Sequence, residues 1–279
     1  MASPIDGGTV LVTGASSGIG MSIARIVAMR ASVLVLVARR VDRLAKLKEE
    51  MQTARRALRV EVIACDLSRR DDVNNLIAEL AARKIVVDVL VNNAGVGLMG
   101  VFDKSDLDKV VSMIDLNVTS LTMLTHALLP GMVERDNGGI LNISSGFGMG
   151  VTPLFAAYIG TKHYVTGFTE GLHSDLAGTG VRVTQICPGP VATEFESGIG
   201  NFTGQKAPGF LEITADHCAR VSVRAFDRGR ALVVPGLWMK LVMLVNDLSP
   251  RFMRRLFASV LGGIARKKQL GAIKDPPPA

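Results

Sequence analysis

Tyr158 and Lys162 stand four residues apart in Tyr158-Ile159-Gly160-Thr161-Lys162, at the start of a segment whose pattern predicts a helix over 158–177. Side chains at i and i+4 share a helix face, so a phenol and an ammonium would point into one pocket. A phenol with its ordinary pKa of about 10 is a sluggish base at neutral pH. A neighbouring cation favours phenolate and would bring that pKa down toward the working range. Three further features bear on the pair. A predicted strand over 139–144 runs into Ser144-Ser145, with Ser145 thirteen residues ahead of Tyr158. Asn117 lies inside a predicted helix over 112–133, where an amide has poor propensity and needs another reason to be present. Pro188-Gly189-Pro190-Val191-Ala192-Thr193 follows another predicted strand, a rigid turn that ends on a hydroxyl. Together these residues could move a proton onto or off a substrate oxygen.

A second constellation suits phosphate. The first predicted strand runs straight into Thr13-Gly14-Ala15-Ser16-Ser17-Gly18-Ile19-Gly20, which opens a helix. Gly14, Gly18 and Gly20 let the chain turn tightly and let a pyrophosphate approach the backbone, while Ser16, Ser17, Gly18 and Ile19 bring it to the helix N-terminus. The amides and the positive dipole end there attract an anion. The second strand ends in Val37-Ala38-Arg39-Arg40, where a site for NAD would place an acid to accept from the ribose 2′-hydroxyl. A carboxylate would repel a 2′-phosphate, whereas a guanidinium pairs with it, so these residues predict NADP(H) with Arg39 as the main contact. Arg40 fits an alternative role as a surface arginine leading into the next helix. Asp66-Leu67 and Asn93-Ala94-Gly95 follow the third and fourth strands. Asp66 could accept from an adenine amino group or cap the helix near Ser68.

Both constellations need the carboxyl ends of strands held side by side. Short β-branched runs (9–13, 33–38, 59–64, 87–92, 139–144, 181–187 and 231–234) alternate with helical patterns over 19–29, 41–57, 70–83, 112–133, 158–177 and 214–227. Several strands are almost uniformly apolar, as expected when helices cover both faces. The alternation predicts a Rossmann-like α/β fold, a doubly wound parallel sheet of about seven strands with its ligands at the carboxyl edge. The chain has 279 residues, within the size of one such domain, and reads as a single unit over 1–236 followed by a basic helical extension over 237–279. Cys65, Cys187 and Cys218 are too few and too scattered for a disulfide framework or a zinc site, and no metal-ligand cluster appears. With no secretory pattern at the N-terminus, this predicts a reducing, cytoplasmic setting. The formal net charge is +7, with the excess in the tail, but few aromatics are interleaved with the basic residues, which argues against a nucleic-acid partner.

Taken together, Thr13–Gly20, Asp66, Asn92–Gly95, Asn117, Ser145, Tyr158, Lys162 and Pro188–Thr193 resemble, in order and spacing, the short-chain dehydrogenase/reductase family over residues 7–235. The resemblance implies that Tyr158 donates the proton during carbonyl reduction and accepts it during oxidation. It implies that Lys162 lowers the Tyr158 pKa and holds the nicotinamide ribose, and that Ser145 rather than Ser144 holds the substrate oxygen. Asn117 would place a water that links Lys162 to solvent, and Thr193 would bind the carboxamide. Pro188, Gly189 and Val191 would line the nicotinamide side. A homodimer or homotetramer is also implied, in part through helices 112–133 and 158–177.

The segment 194–210 corresponds to the family's substrate lid. Phe147, Met149, Val151 and Phe155 would line an apolar pocket, which suits an apolar ketone, a steroid-like molecule or an acyl chain. Two other readings stand beside the reductase: a non-catalytic NADP-binding sensor or scaffold, and an enoyl (C=C) reductase. The first has no use for the Ser145, Tyr158 and Lys162 set, and the second spaces its Tyr and Lys further apart. Beyond residue 236 the chain departs from many members of the family, with an apolar run over 237–245 and a basic helix over roughly 250–268. That tail could cover the substrate mouth, pack in an oligomer, or make peripheral contact with an anionic membrane surface.

Overall fold

Leu11, Val35 and Val37 point to one face of the sheet while Val10, Val12, Leu34 and Leu36 point to the other, and all are completely buried. This period-2 division of uniformly apolar strands is what a sheet covered on both sides requires. The computed structural model describes residues 2–200 and 208–274. Seven parallel strands form the main sheet in the order β3-β2-β1-β4-β5-β6-β9, with β1 at Thr9–Thr13, β2 at Val33–Ala38, β3 at Arg59–Ala64, β4 at Val89–Asn92, β5 at Gly138–Ile143, β6 at Val181–Ile186 and β9 at Leu232–Val233. Two short strands, β7 (Val191–Ala192) and β8 (Ile213–Thr214), pair apart from it. The fold is thus the doubly wound α/β sheet expected from the alternation.

Helices α1 (Gly18–Ala28), α2 (Val41–Ala54) and α8 (Ala215–Asp227) pack on one face through residues such as Ile23, Leu44, Leu47, Val223 and Phe226. Helices α3 (Arg70–Ala82), α5 (Ser120–Glu134) and α6 (Ala156–Asp175) cover the other through Val73, Leu76, Leu124, Met132 and Leu172. All three cysteines are buried and free. The order reverses between β1 and β4, so the turns after these two strands lie together, as they must at a switch point. Thr13 stitches them: its hydroxyl donates to Val91 O (3.1 Å) and accepts from the amides of Asn93 and Ala94 (3.0 Å each).

The helix predicted over 112–133 is longer and less regular. It begins as α4 (Leu107–Ile114), capped by Asp106, whose carboxylate accepts from the amides of Asp108 and Lys109. It then widens into a π-helical turn over Asp115–Thr119 before continuing as α5. A short α7 (Phe195–Gly198) follows β7, and two further helices, α9 (Leu237–Leu248) and α10 (Arg251–Lys274), end the described chain. Residues 201–207 of the lid predicted over 194–210 lie outside the described residues.

Candidate active site

α6 carries Tyr158 and Lys162 on its inward face, and both are buried, with about one-twentieth of each exposed (5% and 6%). The Lys162 ammonium donates to Ile143 O at the end of β5 (3.0 Å) and lies 5.9 Å from the centre of the Tyr158 ring. Two serines leave β5 in opposite directions. Ser144 donates to Lys162 O (3.2 Å) and pairs with the Thr166 hydroxyl (3.0 Å), so it ties the strand to α6. Ser145 instead lies beside Tyr158, where it favours the phenolate, and accepts from the amide of Phe147 (3.1 Å).

Burial dominates the electrostatics of the pair. It pushes the Tyr158 phenol up to about 12, with the Ser145 hydroxyl working against it, and pulls the Lys162 amine down to about 8. Lowering of the tyrosine by the lysine, expected from their spacing, is therefore overturned in this arrangement: desolvation disfavours both charged forms, and the ammonium is directed to a carbonyl rather than to the phenol oxygen.

Asn117 sits on the π turn, and the wider turn explains how an amide is accommodated inside a helix. Its side chain accepts from Val96 N (3.0 Å) and donates to Val96 O (2.8 Å) and Thr161 Oγ1 (3.0 Å). The asparagine thereby fastens the chain after β4 to α6, next to Tyr158. Gly95 lies between these groups: a Cβ there would sit 3.2 Å from Asn117 Oδ1 and 3.5 Å from Lys162 Nζ.

At the phosphate end, Gly14 and Gly18 have positive φ (64° and 54°), which L side chains rarely adopt. Gly20 is required by packing: a Cβ would meet Asn93 Nδ2 at 2.3 Å and Gly14 O at 2.6 Å. Ser17, the N-cap of α1, makes no side-chain capping bond, which leaves the first-turn amides as donors for a phosphate. Its hydroxyl and that of Ser16 accept instead from Arg40, at 2.7 Å and 3.2 Å. Arg40 also reaches Glu194 (2.7 Å), which Arg43 engages from the other side (2.6 Å). Arg39 is two-thirds exposed and approaches Asp66 at 3.7 Å. Of the two arginines, Arg40 is thus the one placed at the phosphate turn. Asp66 accepts from the amide (3.1 Å) and hydroxyl (2.7 Å) of Ser68, a turn ahead of α3 rather than a cap: the helix begins at Arg70, and its N-cap Arg69 makes no side-chain capping bond. The Leu67 side chain is in the core, so only its backbone is available to a ligand. Ile19 packs against the other core layer.

The turn 188–193 closes over the same edge. Pro188 O accepts from Gly146 N (2.7 Å), Gly189 abuts Met239 of α9, and a Cβ on Gly18 would stand 3.1 Å from the Thr193 methyl. Val191 is buried in β7. An aromatic wall surrounds Tyr158. The Phe147 and Phe155 rings lie 5.9 and 6.2 Å from it and 5.0 Å from each other. Phe195, which sequence reasoning passed over as a lid residue, is 5.7 Å away. Its signal was position, two residues beyond Thr193. Val151, by contrast, is 65% exposed and does not join this wall. Leu154 holds a positive φ of 73° and its carbonyl accepts from Gly100 N (2.7 Å), so the two loops that flank the aromatic wall are tied together. His163 and His173 are exposed, and no cluster able to hold a metal occurs among the described residues.

The family model for short chain dehydrogenase matches residues 8–202. The chain belongs to that family. It is 38% identical over 190 residues to the NADP-dependent 3-hydroxy acid dehydrogenase YdfG of Escherichia coli (strain K12), an alignment covering 67% of this chain and 75% of that one. It is 36% identical over 192 residues to the very-long-chain 3-oxoacyl-CoA reductase of Anas platyrhynchos, covering 67% of this chain and 61% of the relative. A short-chain dehydrogenase from Sphingobium yanoikuyae, solved in complex with NADPH, superposes with a TM-score of 0.74 at 31% identity over 86% of this chain and 94% of that one. The protein is an oxidoreductase of alcohol and keto groups.

Proposed function

We propose that the chain transfers hydride reversibly between NADP(H) and the carbonyl or secondary alcohol of an apolar substrate: a ketone, a steroid-like molecule or an acyl compound. The observation that carries the reading is the buried Tyr158 on the inward face of α6, beside Ser145 and Lys162 and walled by Phe147, Phe155 and Phe195. The residues fit the dinucleotide. The uncapped N-terminus of α1 and the Arg40 guanidinium suit its phosphates, and the absence of an acid at the end of β2 suits a 2′-phosphate in particular. NADP(H), when bound, supplies or accepts the hydride.

The chain's own groups handle the oxygen and the proton. Ser145 and Tyr158 hydrogen-bond the substrate oxygen, and Tyr158 Oη donates its proton as negative charge develops there. A phenol raised to about 12 is in its protonated form at neutral pH, the form that can donate. Lys162 is the neighbouring cation that makes good the lost proton, and Asn117 is a positioning residue that fixes α6 against the loop after β4. The aromatic wall excludes water and selects apolar groups, in keeping with the very-long-chain acyl substrate in one relative's name. The same reading includes a homo-oligomer through the face formed by α4–α6, where Val111, Ile114, Val133 and Tyr164 are exposed.

Replacing Tyr158 with Phe keeps the aromatic wall and removes the proton. NADPH oxidation over a panel of ketones, aldehydes and 3-oxoacyl thioesters should fall by about 10²–10⁴-fold, while NADPH binding is retained. Survival of turnover would refute the assignment. With an enone as substrate, the alcohol should be the product; a saturated ketone would point to C=C reduction instead.

A further inference from the structure

We propose that α9 and α10 form a docking face for an anionic lipid surface, which sets the substrate mouth against the bilayer. In α10 the usual amphipathic order is inverted. The half-buried residues are Arg254, Ala258, Gly262, Ala265, Gln269 and Leu270, a stripe at helical spacing in which only Leu270 is a large apolar side chain. Gly262 rests near Pro153, Arg266 pairs with Asp103, and Gln269 accepts from Val101 N (2.7 Å). The apolar residues face outward: Phe252, Leu256, Phe257, Val260 and Ile264 are all more than half exposed. α9 behaves likewise. It buries Met239 and Met243, while Leu237, Trp238, Leu244, Val245 and Leu248 stay more than half exposed.

Two helices consecutive in the chain thus leave these ten large apolar side chains more than half exposed, a concentration that marks an interaction site rather than scattered surface. Charge selects the occupant. Arg251, Arg254 and Arg255 precede an uncharged stretch over 256–265, and Arg266, Lys267 and Lys268 follow it, with no acid anywhere from 248 to 274. A second copy docked on this face would bring like charges together with no carboxylate on the helix to offset them, whereas anionic headgroups suit the exposed Arg251, Arg255 and Lys267 at its two ends. Among the described residues no helix is long and apolar enough to cross a membrane, which leaves the helices to lie in the interface plane.

The placement bears on access to the site. Asn246 of α9 donates to Met149 O (2.8 Å), and α10 contacts the loops holding Val101, Asp103 and Pro153. Those loops flank the aromatic wall around Tyr158, so a docked molecule opens its mouth toward lipid. The docking itself does not rest on the hydride-transfer reading.

Full-length protein with NADPH is mixed with vesicles of phosphatidylcholine alone or of phosphatidylcholine with phosphatidylglycerol, and the bound fraction is measured by sedimentation. Wild type should partition onto the anionic vesicles and weaken with added salt. The R251E/R255E/K267E variant should lose at least about tenfold in partition, and F257D/I264D should lose binding altogether. Circular dichroism and NADPH oxidation with a water-soluble ketone should be unchanged in both variants, which separates a docking failure from a failure of the active site. Equal binding to neutral vesicles, or no binding by wild type, would overturn the proposal. So would a dimer in ultracentrifugation that F257D/I264D dissociates without any vesicle binding, since the face would then join two copies of the chain.

Discussion

A buried amine should leave a signature in stability as well as in catalysis. The Lys162 ammonium is inside the protein, and burial takes its pKa from 10.5 to about 8. Between those values the unfolded chain still holds the proton and the folded chain does not, so stability rises with pH across that window and is flat and lower beneath it. At about 1.4 kcal/mol per pH unit, the whole window corresponds to roughly 3 kcal/mol, of which about 2 kcal/mol falls between pH 8 and 9.5. Tyr158 acts in the opposite sense and later. Its folded value of about 12 exceeds the ordinary 10.0, so its contribution is full below pH 10 and is lost as pH climbs toward 12. Cys65, Cys187 and Cys218 are raised by burial from 9.0 to about 12, 11 and 12, so their contributions are lost above pH 9 and offset this gain in the whole protein. The lysine is therefore read as a difference: by urea unfolding at pH 7.0 and 9.5, wild type should gain about 2 kcal/mol relative to Lys162→Met, which keeps the volume and removes the titration. NADPH oxidation should be lost in the variant. Identical pH dependence in the two proteins would show that the ammonium is not a desolvated charge, and the account of the site's electrostatics would fail.

Arg40→Ala removes the guanidinium that binds both serines of the phosphate turn. The KM for NADPH should rise about 10- to 100-fold, the value of one charge-assisted contact, with little change for NADH, as steady-state kinetics with both cofactors would show. An equal loss with both cofactors would argue against a 2′-phosphate contact. Asn117→Ala strands Val96 N and Val96 O and removes one of two bonds at Thr161 Oγ1, and denaturant titration should find it less stable by about 1–3 kcal/mol together with a fall in kcat. Gly148→Ala puts a methyl 2.5 Å from Thr166 Oγ1 and 2.7 Å from both Lys162 O and Ser144 Oγ. Overpacking there should cost about 1–3 kcal/mol in the same assay.

The first three strands fall where the residues place them, at 9–13, 33–38 and 59–64, because a β-branched run buried on both faces has few other states open to it. The Tyr158–Lys162 pairing was legible for a similar reason, since helical spacing fixes which side chains share a face. What local pattern could not supply was direction. Arg39 and Arg40 are neighbours of one chemical type, and which of them meets Ser16 and Ser17 depends on how the chain leaves β2 to enter α2. The electrostatic sign at Tyr158 was out of reach as well. Spacing gives the distance from the ammonium, while the burial that outweighs it involves Phe147 and Phe155 from the connection between β5 and α6 and Phe195 from α7. Likewise the sequence leaves the basic tail open to covering, packing or docking, because which side of α10 faces the protein, with Gly262 inward and Phe252 and Phe257 outward, is a tertiary property.

Asn117 joins these levels. An amide inside a helix is a local contradiction, and such contradictions gather where function overrides propensity. The π turn resolves this one by adding a residue to the helical circuit, which carries the helix on into α5 while the amide bonds with the chain after β4 and with Thr161. Thr161 in turn donates to Tyr158 O (2.7 Å), so two side chains in series, Asn117 and Thr161, link the edge of β4 to the backbone of Tyr158. A regular helix over the same residues would carry Asn117 at a different angle about its axis and leave α6 without that tie. The irregular turn is therefore part of the machinery that holds Tyr158 in place.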